Sequence, residues 1–466
     1  MERNHIKNVF IEDTIAAVAT PTGIGAISIV RVSGSKAISI VDSVFIGKDK
    51  LKKVQSHTII YGKIIDDDGN LIDDVLVSVF RNPHSYTGED SIEISTHGNP
   101  LISQKIIELL IKKGVRIAEP GEFTKRAFLN NRLDLAQAES VVDIINSRTD
   151  ASLRGARNQL DGILSKKIGE LRELLINASS FVELELDFAE EDVEFIDKKE
   201  LLERLNKIRS EIDKLLNTYS FGRLMRDGVN VTIVGIPNVG KSSLLNYILK
   251  ESRAIVSHVP GTTRDVIRED VSIDGILYRL YDTAGIRISE DEVEKEGVLR
   301  SREAVKNADI VLFINDTEQK FAYDLLEDIN ILTSQEKIIS VINKIDVPHE
   351  TLEHADVYIS ALNGEGIENL FVKLKEKSIG NSNYSEKSAV VSNVRHFQCL
   401  RKARESLSNA EYSINNGFTG EFISVDLRNA ENFLGEIIGE VTSDDILNNI
   451  FMKFCIGKWV SRETNI

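Results

Sequence analysis

A strand-like run, Val231-Thr232-Ile233-Val234, leads directly into Gly235-Ile236-Pro237-Asn238-Val239-Gly240-Lys241-Ser242, and a helix-forming stretch from Ser243 to Leu249 follows. This is a phosphate-loop pattern in the strand–loop–helix setting that the pattern requires. Its glycines let the backbone curl so that N–H groups face phosphate oxygens. Lys241 supplies an ammonium to the β- and γ-phosphates, and Ser242 offers a hydroxyl to Mg²⁺. The surrounding chain agrees. From Val229 to about Lys377, strand-like runs at 230–234, 277–281, 310–314, 338–342 and 357–359 alternate with helical stretches, as in a parallel sheet.

Three further segments follow in order and narrow the ligand. Asp282-Thr283-Ala284-Gly285 ends a strand, placing Asp282 to hold Mg²⁺ through its water shell and Gly285 to bring an N–H to a γ-phosphate. Asn343-Lys344-Ile345-Asp346 ends another. Asp346 can accept from the N1–H and exocyclic amine of guanine, a donor pair that adenine lacks. A buried carboxylate left unpaired by adenine would reject ATP by roughly 10⁴. Ser360-Ala361-Leu362, after the last strand, is expected to contact the guanine carbonyl. The expected GTP contacts are therefore Asn238, Val239, Gly240, Lys241, Ser242, Ser243, Asp282, Thr283, Ala284, Gly285, Asn343, Lys344, Asp346, Ser360 and Ala361. Gly261-Thr262-Thr263-Arg264-Asp265 lies where a switch must reach the metal, and Thr263 is the natural second hydroxyl ligand for Mg²⁺ beside Ser242. Together these segments resemble the guanine-nucleotide-binding domains of small GTPases. After Gly285 comes Ile286, which cannot orient an attacking water as the glutamine of Ras does.

At 466 residues the chain has room for roughly three domains of about 150 residues. Residues 1–130 read as α+β, with short β-branched runs such as Ala26 to Val30 and Val75 to Val79 and one helix near Leu101 to Lys113. Residues 131–226 read as helical: Leu201, Leu205, Ile208, Ile212 and Leu215 keep the 4-3-4-3 spacing of one packed face. The α/β domain occupies 227–380, ending in a polar linker at Gly380 to Ser385, and helical pattern returns over 381–466. The expected architecture is thus an α+β N-terminal domain and an all-α central domain into which an α/β phosphate-loop domain is inserted. The acidic run from Glu183 to Glu194 reads as a solvated helix face.

Composition excludes several classes. No apolar run is long enough to cross a bilayer, so no membrane is expected. Met1 to His5 does not open a secretory leader or an organelle presequence, and a cytoplasmic location follows as an expectation. Two cysteines give neither a disulfide framework nor a paired-cysteine metal signature, and a net charge of −16 opposes nonspecific coating of nucleic acid.

Beyond the nucleotide segments, Asp13 to Gly34 (DTIAAVATPTGIGAISIVRVSG), Pro120 to Asn130 (PGEFTKRAFLN), Leu133 to Glu139 (LDLAQAE) and Cys455-Ile456-Gly457-Lys458 resemble the tRNA-modification GTPase MnmE (TrmE) family over essentially the whole chain. The resemblance implies a folate-binding N-terminal domain that also dimerises. It implies a K⁺ ion held by Asn238, Ser257, Val259 and Thr262, and a water-positioning glutamate at Glu294. A monovalent cation beside the β/γ bridge can offset transition-state charge where an arginine finger otherwise would. It further implies a site for 5-formyltetrahydrofolate or a related tetrahydrofolate at Arg31, Glu93, Arg132 and Lys458, although Thr96-His97-Gly98-Asn99 departs from the family's usual Gly-His-Gly-Gly. The implied partners are a second copy of the chain, the flavoprotein MnmG (GidA) and tRNA, whose wobble uridine would receive an aminomethyl or carboxymethylaminomethyl group at C5. Cys455 keeps two readings, a thiolate acting at the uridine ring or a buried small hydrophobe. A ribosome-assembly GTPase of the Era type accounts for Gly261 to Asp265 equally well but gives residues 1–130 and Cys455 no role. A folate-binding protein with a vestigial switch conflicts with the intact Lys241, Ser242 and Asp346.

Overall fold

The computed structural model describes residues 13–187, 197–251, 253–254, 268–282, 302–348, 354–379, 388–441, 444–452 and 454. The expected residues Ser257, Val259, Thr262, Thr263, Thr283, Ala284, Gly285, Glu294, Cys455 and Lys458 lie outside them. Asp282 closes a described strand, but its side chain is outside the description as well. The chain divides into two compact units, Met1–Val142 with Ile438–Ile466, and Asp143–Ile437.

The first unit is built on a mixed sheet of β1 (Ile15–Val18), β2 (Ile27–Ser33), β3 (Phe45–Gly47), β4 (Thr58–Ile65), β5 (Leu71–Phe80), β6 (Ser91–His97) and β7 (Arg116–Ile117), ordered β3-β4-β5-β6-β2-β1-β7. Alternation decides which face is covered. Val75, Val77 and Val79 of β5, Ile92 and Ile94 of β6 and Val30 and Val32 of β2 point one way and are buried with Ile106 and Leu110 of the helix Pro100–Lys112. That helix starts where the sequence sets it, with Pro100 in the first turn and the Asn99 side chain accepting from the Leu101 amide. The opposite face carries Arg31 on β2 directly across from Glu93 on β6. The chain returns to this unit at its far end. Phe451 and Phe454 pack with Phe128, Leu135 and Leu447, and Gly121 leaves room for them: a Cβ there would fall 2.5 Å from the Phe451 carbonyl oxygen.

In the second unit the α/β domain is inserted between helices. The five apolar residues of the 4-3-4-3 face are all buried in the helix Lys198–Asn217, which packs against both Ile163–Asp187 before the insertion and Val394–Asn415 after it. The inserted sheet runs β14 (Val357–Tyr358), β13 (Ile338–Asn343), β12 (Ile310–Asp316), β8 (Val229–Val234), β11 (Ile276–Asp282), β10 (Arg268–Ile273) and β9 (Arg253–Ala254). Every residue of β12 is buried, as suits a central parallel strand covered on both faces. The sheet is not wholly parallel. β10 pairs antiparallel with β11 across Asp274-Gly275, both with positive φ, a two-residue turn of the kind that joins twisted hairpin strands.

Candidate active site

The loop from Gly235 to Lys241 joins β8 to the helix Lys241–Glu251, and three backbone constraints shape it. At Gly235 a Cβ would sit 2.3 Å from the Ile314 carbonyl oxygen, so β12 and the loop approach as closely as glycine allows. Gly240 has φ +93°, and a Cβ there would meet Asn343 Nδ2 at 2.2 Å. Asn238, with φ 66°, is the left-handed residue that turns the loop, and its side chain is exposed. Lys241 is almost wholly buried. Its Nζ donates to the carbonyls of Gly235 (2.7 Å) and Ile236 (2.8 Å), fixing the ammonium inside the curl of the loop. Ser242 and Ser243 are exposed at the first turn of the helix, whose N-terminal N–H groups and dipole favour an anion.

Asn343 is the hub of the base side. Its Nδ2 donates to the Val239 carbonyl (2.8 Å) and its Oδ1 accepts from the Ala361 amide (2.9 Å), so one buried amide joins the phosphate loop to the Ser360-Ala361 segment. The expected partners Val239, Gly240, Asn343, Ser360 and Ala361 are thereby brought together. Ser360 is buried and its carbonyl accepts from Gly364 N (2.9 Å). Lys344 has φ 63°, and its Nζ bridges Asp316 and Glu318, each at 2.6 Å. Burial alone would raise the Asp316 carboxyl, but hydrogen bonds from Lys344 and Gln319 hold it below the ordinary range, keeping it ionised. Asp346 differs from expectation. It is exposed rather than buried, standing in the turn beyond β13. The expected discrimination against adenine would therefore require a base covering the carboxylate, since a solvated one is satisfied by water.

No motif marks Asp316, Glu318 and Gln319. The polar Asn315-Asp316 pair closing an otherwise apolar strand was the available signal. The Asp316 carboxylate accepts from Gln319 N (3.0 Å), curling 316–319 into a wall beside Lys344.

In the first unit Arg31 Nε and Nη2 reach Glu93 Oε1 at 2.9 and 2.7 Å, and the guanidinium carbon lies 5.4 Å from the Tyr86 ring centroid and 5.5 Å from that of Phe123. Arg31 and Glu93, both expected at the folate site, thus hold each other within an aromatic bracket. Arg132 is exposed and reaches the same Tyr86–Asp90 turn: a Cβ on Gly88, at φ +75°, would come within 3.2 Å of Arg132 Cγ. Behind the turn lies a charge network. Arg126, 1% exposed, bonds Glu122 (2.9 Å), Asp13 (2.6 Å) and Glu89 (3.1 Å), while burial pushes the Glu89 carboxyl up. Phe454, the residue before Cys455, sits against Gly121, next to the helix Glu122–Leu129 that carries Phe123. Cys399 is buried in its helix and burial pushes its thiol up to about 11, as suits a core residue. Among the described residues no group of His, Cys, Asp and Glu is arranged to hold a metal, and no helix is long and apolar enough to cross a membrane.

With this geometry in hand, comparison with known proteins gives two family matches. Residues 14–132 match the GTP-binding protein TrmE N-terminus, and residues 135–455 match the MnmE helical domain. The chain is also 46% identical over 461 residues to the tRNA modification GTPase MnmE of Carboxydothermus hydrogenoformans, covering 96% of this chain and 100% of the relative. This chain belongs to the MnmE family. The tRNA modification GTPase MnmE of Clostridioides difficile is 44% identical over 461 residues, covering 97% of this chain and all of that protein. The one from Acetivibrio thermocellus is 41% identical over 462 residues. The matched ranges take in both the Arg31–Glu93 bracket and the phosphate loop.

Proposed function

We propose that this chain hydrolyses GTP and uses the hydrolysis in modifying tRNA, as its relatives are named for doing. The observation that carries the reading is the Asn343 hub: a single buried amide locks the phosphate loop to the segment that would meet the guanine, so triphosphate and base are recognised by one rigid unit. In the bound state Lys241 and the loop amides would grip the β- and γ-phosphates, Ser242 and Thr263 would hold Mg²⁺, and Asp346 would select guanine.

The finer mechanism rests on the family resemblance. An apolar Ile286 leaves water positioning to another group, for which Glu294 is the candidate. Asn238, exposed at the left-handed corner of the loop, is the candidate to offer a side-chain oxygen to K⁺, with Ser257, Val259 and Thr262 as the other ligands the resemblance implies. K⁺ supplies positive charge at the β/γ bridge when bound. In the first unit the Arg31–Glu93 pair, bracketed by Tyr86 and Phe123, would suit a tetrahydrofolate if the pair opens: Glu93 could accept from pterin N–H donors, Arg31 could meet a carboxylate of the glutamate tail, and the two rings offer π surface to the pterin. That group supplies the one-carbon unit when bound, and Arg132 and Lys458 complete the assigned contacts. A homodimer, the flavoprotein MnmG and tRNA are the partners of this reading, and the wobble uridine C5 is its target.

Two measurements test it. GTPase rates in K⁺ and Na⁺ buffers should differ by at least about tenfold, and equal rates would remove the cation. Mass analysis of wobble nucleosides from a deletion strain should show loss of the C5 substituent; unchanged nucleosides would leave the Era-type alternative.

A further inference from the structure

The second unit contains an ionic tie between the inserted sheet and the helices that precede it. Arg148 stands between the helices Leu135–Asn146 and Asp150–Leu160 and donates through Nη1 to Asp270 Oδ2 on β10. The Asp270 side chain is 6% exposed. The same helix start touches the hairpin turn, since a Cβ built on Gly275 would lie 3.8 Å from Ala151 Cβ. Directly across the hairpin from Asp270 is Arg279 on β11. Register partners share a sheet face with Cβ atoms about 5 Å apart, and the Arg279 Nε–H is buried without a hydrogen-bond partner among the described residues. One buried carboxylate thus faces two arginines. Arg148 belongs to the helical segment, and Arg279 belongs to the strand that ends at Asp282.

Both hairpin strands lead into the nucleotide elements. β10 follows directly on the segment that contains Gly261 to Asp265, and β11 closes at Asp282. A small slide of β10 against its neighbours would change which arginine the carboxylate serves. Because an unpaired buried charge is costly, intermediate positions would be disfavoured, leaving two states.

We propose that Asp270 is a positioning residue that passes the nucleotide state of the phosphate loop to the segment 148–160, its carboxylate held by Arg148 in one state and by Arg279 in the other. The proposal rests on the GTPase reading above. In contrast to a merely structural ion pair, it gives the two arginines opposite effects. With Arg148→Ala the helix Asp150–Leu160 is released whatever nucleotide is bound, and with Arg279→Ala it is held whatever nucleotide is bound.

Hydrogen exchange of peptides covering 148–160, on the full-length chain with GDP or a non-hydrolysable GTP analogue, reads this directly. In the wild type the two nucleotides should give exchange rates differing by about tenfold. Arg148→Ala should give the fast rate with both nucleotides and Arg279→Ala the slow rate with both, while affinity for a fluorescent GDP stays within about twofold. The reversed pair Arg148→Asp with Asp270→Arg should restore slow exchange in at least one nucleotide state. Should Arg279→Ala fail to fold, Arg279→Met, which keeps the buried stem, carries the same expectation. Wild-type-like nucleotide dependence in both single variants, or a shift in the same direction in both, overturns the proposal alone. A chain that retains no guanine nucleotide overturns the GTPase reading and the proposal with it.

Discussion

The phosphate loop and the Arg31 bracket both gather cationic side chains, yet they are built on opposite plans. At the phosphate loop the recognition surface is backbone, bent by Gly235, Asn238 and Gly240 and braced by Asn343, with Lys241 folded into its own loop. At the bracket the surface is side chains, and the two expected ligand contacts, Arg31 and Glu93, spend their charge on each other between two rings. A backbone site is preorganised and intolerant of change. A side-chain site must exchange one partner for another when a ligand arrives, and so tolerates conservative substitution better.

Substitutions can break that contrast. The largest expected effect is at Asp346. Asp346→Asn replaces an acceptor with a group that can also donate, so binding of guanine nucleotides should weaken by about 10³ while xanthine nucleotides, with a carbonyl where guanine has its amine, gain by a comparable factor. Competition binding with the two diphosphates measures it, and unchanged preference would show that Asp346 does not meet the base. Next, Asn343→Ala removes both hydrogen bonds that hold the loop to Ala361 and leaves the buried Ala361 amide unsatisfied. Two such losses should weaken GDP binding by about 10²-fold and lower stability by about 2 kcal/mol. Equilibrium binding with thermal unfolding would detect both, and retention of wild-type affinity would remove the hub. At the bracket, Phe123→Ala should weaken binding of a reduced folate by only about fivefold, the worth of one ring over a guanidinium, and leave GTP hydrolysis unchanged. A loss as steep as that at Asn343 would mean the bracket is as rigid as the loop.

The smallest effect belongs to neither site and gauges how much an exposed ion pair adds. Glu211 accepts from Lys167 (2.7 Å) and Lys214 (2.5 Å), and these hydrogen bonds pull its carboxyl from 4.5 down to about 2. Because the folded value lies below the unfolded one, the contribution is complete above about pH 4.5 and fades as pH falls toward about 2. Lys167→Ala should therefore flatten the pH dependence of the unfolding temperature across that window. The change should be under about 1 kcal/mol because solvent screens the pair.

The contrast also explains what the sequence could and could not reveal. Backbone-built features were legible because glycine spacing and an apolar strand encode them locally: the loop, β8, β12, β13 and the buried face of Lys198–Asn217 appear where their patterns place them. The antiparallel β10 departs from a sheet of uniformly parallel strands, and Asp274-Gly275 between Val271-Ser272-Ile273 and Ile276-Leu277-Tyr278 is its hairpin signal. Side-chain assemblies were legible only in part. Nothing local tells Arg31 that Glu93 lies across from it, or that Tyr86 and Phe123 arrive from a turn and a helix far along the chain. The same holds for Lys344 between Asp316 and Glu318, a contact made by tertiary register and not by spacing.

Titration of the full-length chain with GTP and with ATP, for the wild type and for Lys241→Ala, tests the central claim most directly. The account predicts that the wild type prefers GTP by roughly 10⁴ and that losing the ammonium weakens GTP binding by at least about 10²-fold. Equal binding of the two nucleotides, or a Lys241→Ala variant that binds and cleaves GTP as the wild type does, would contradict it.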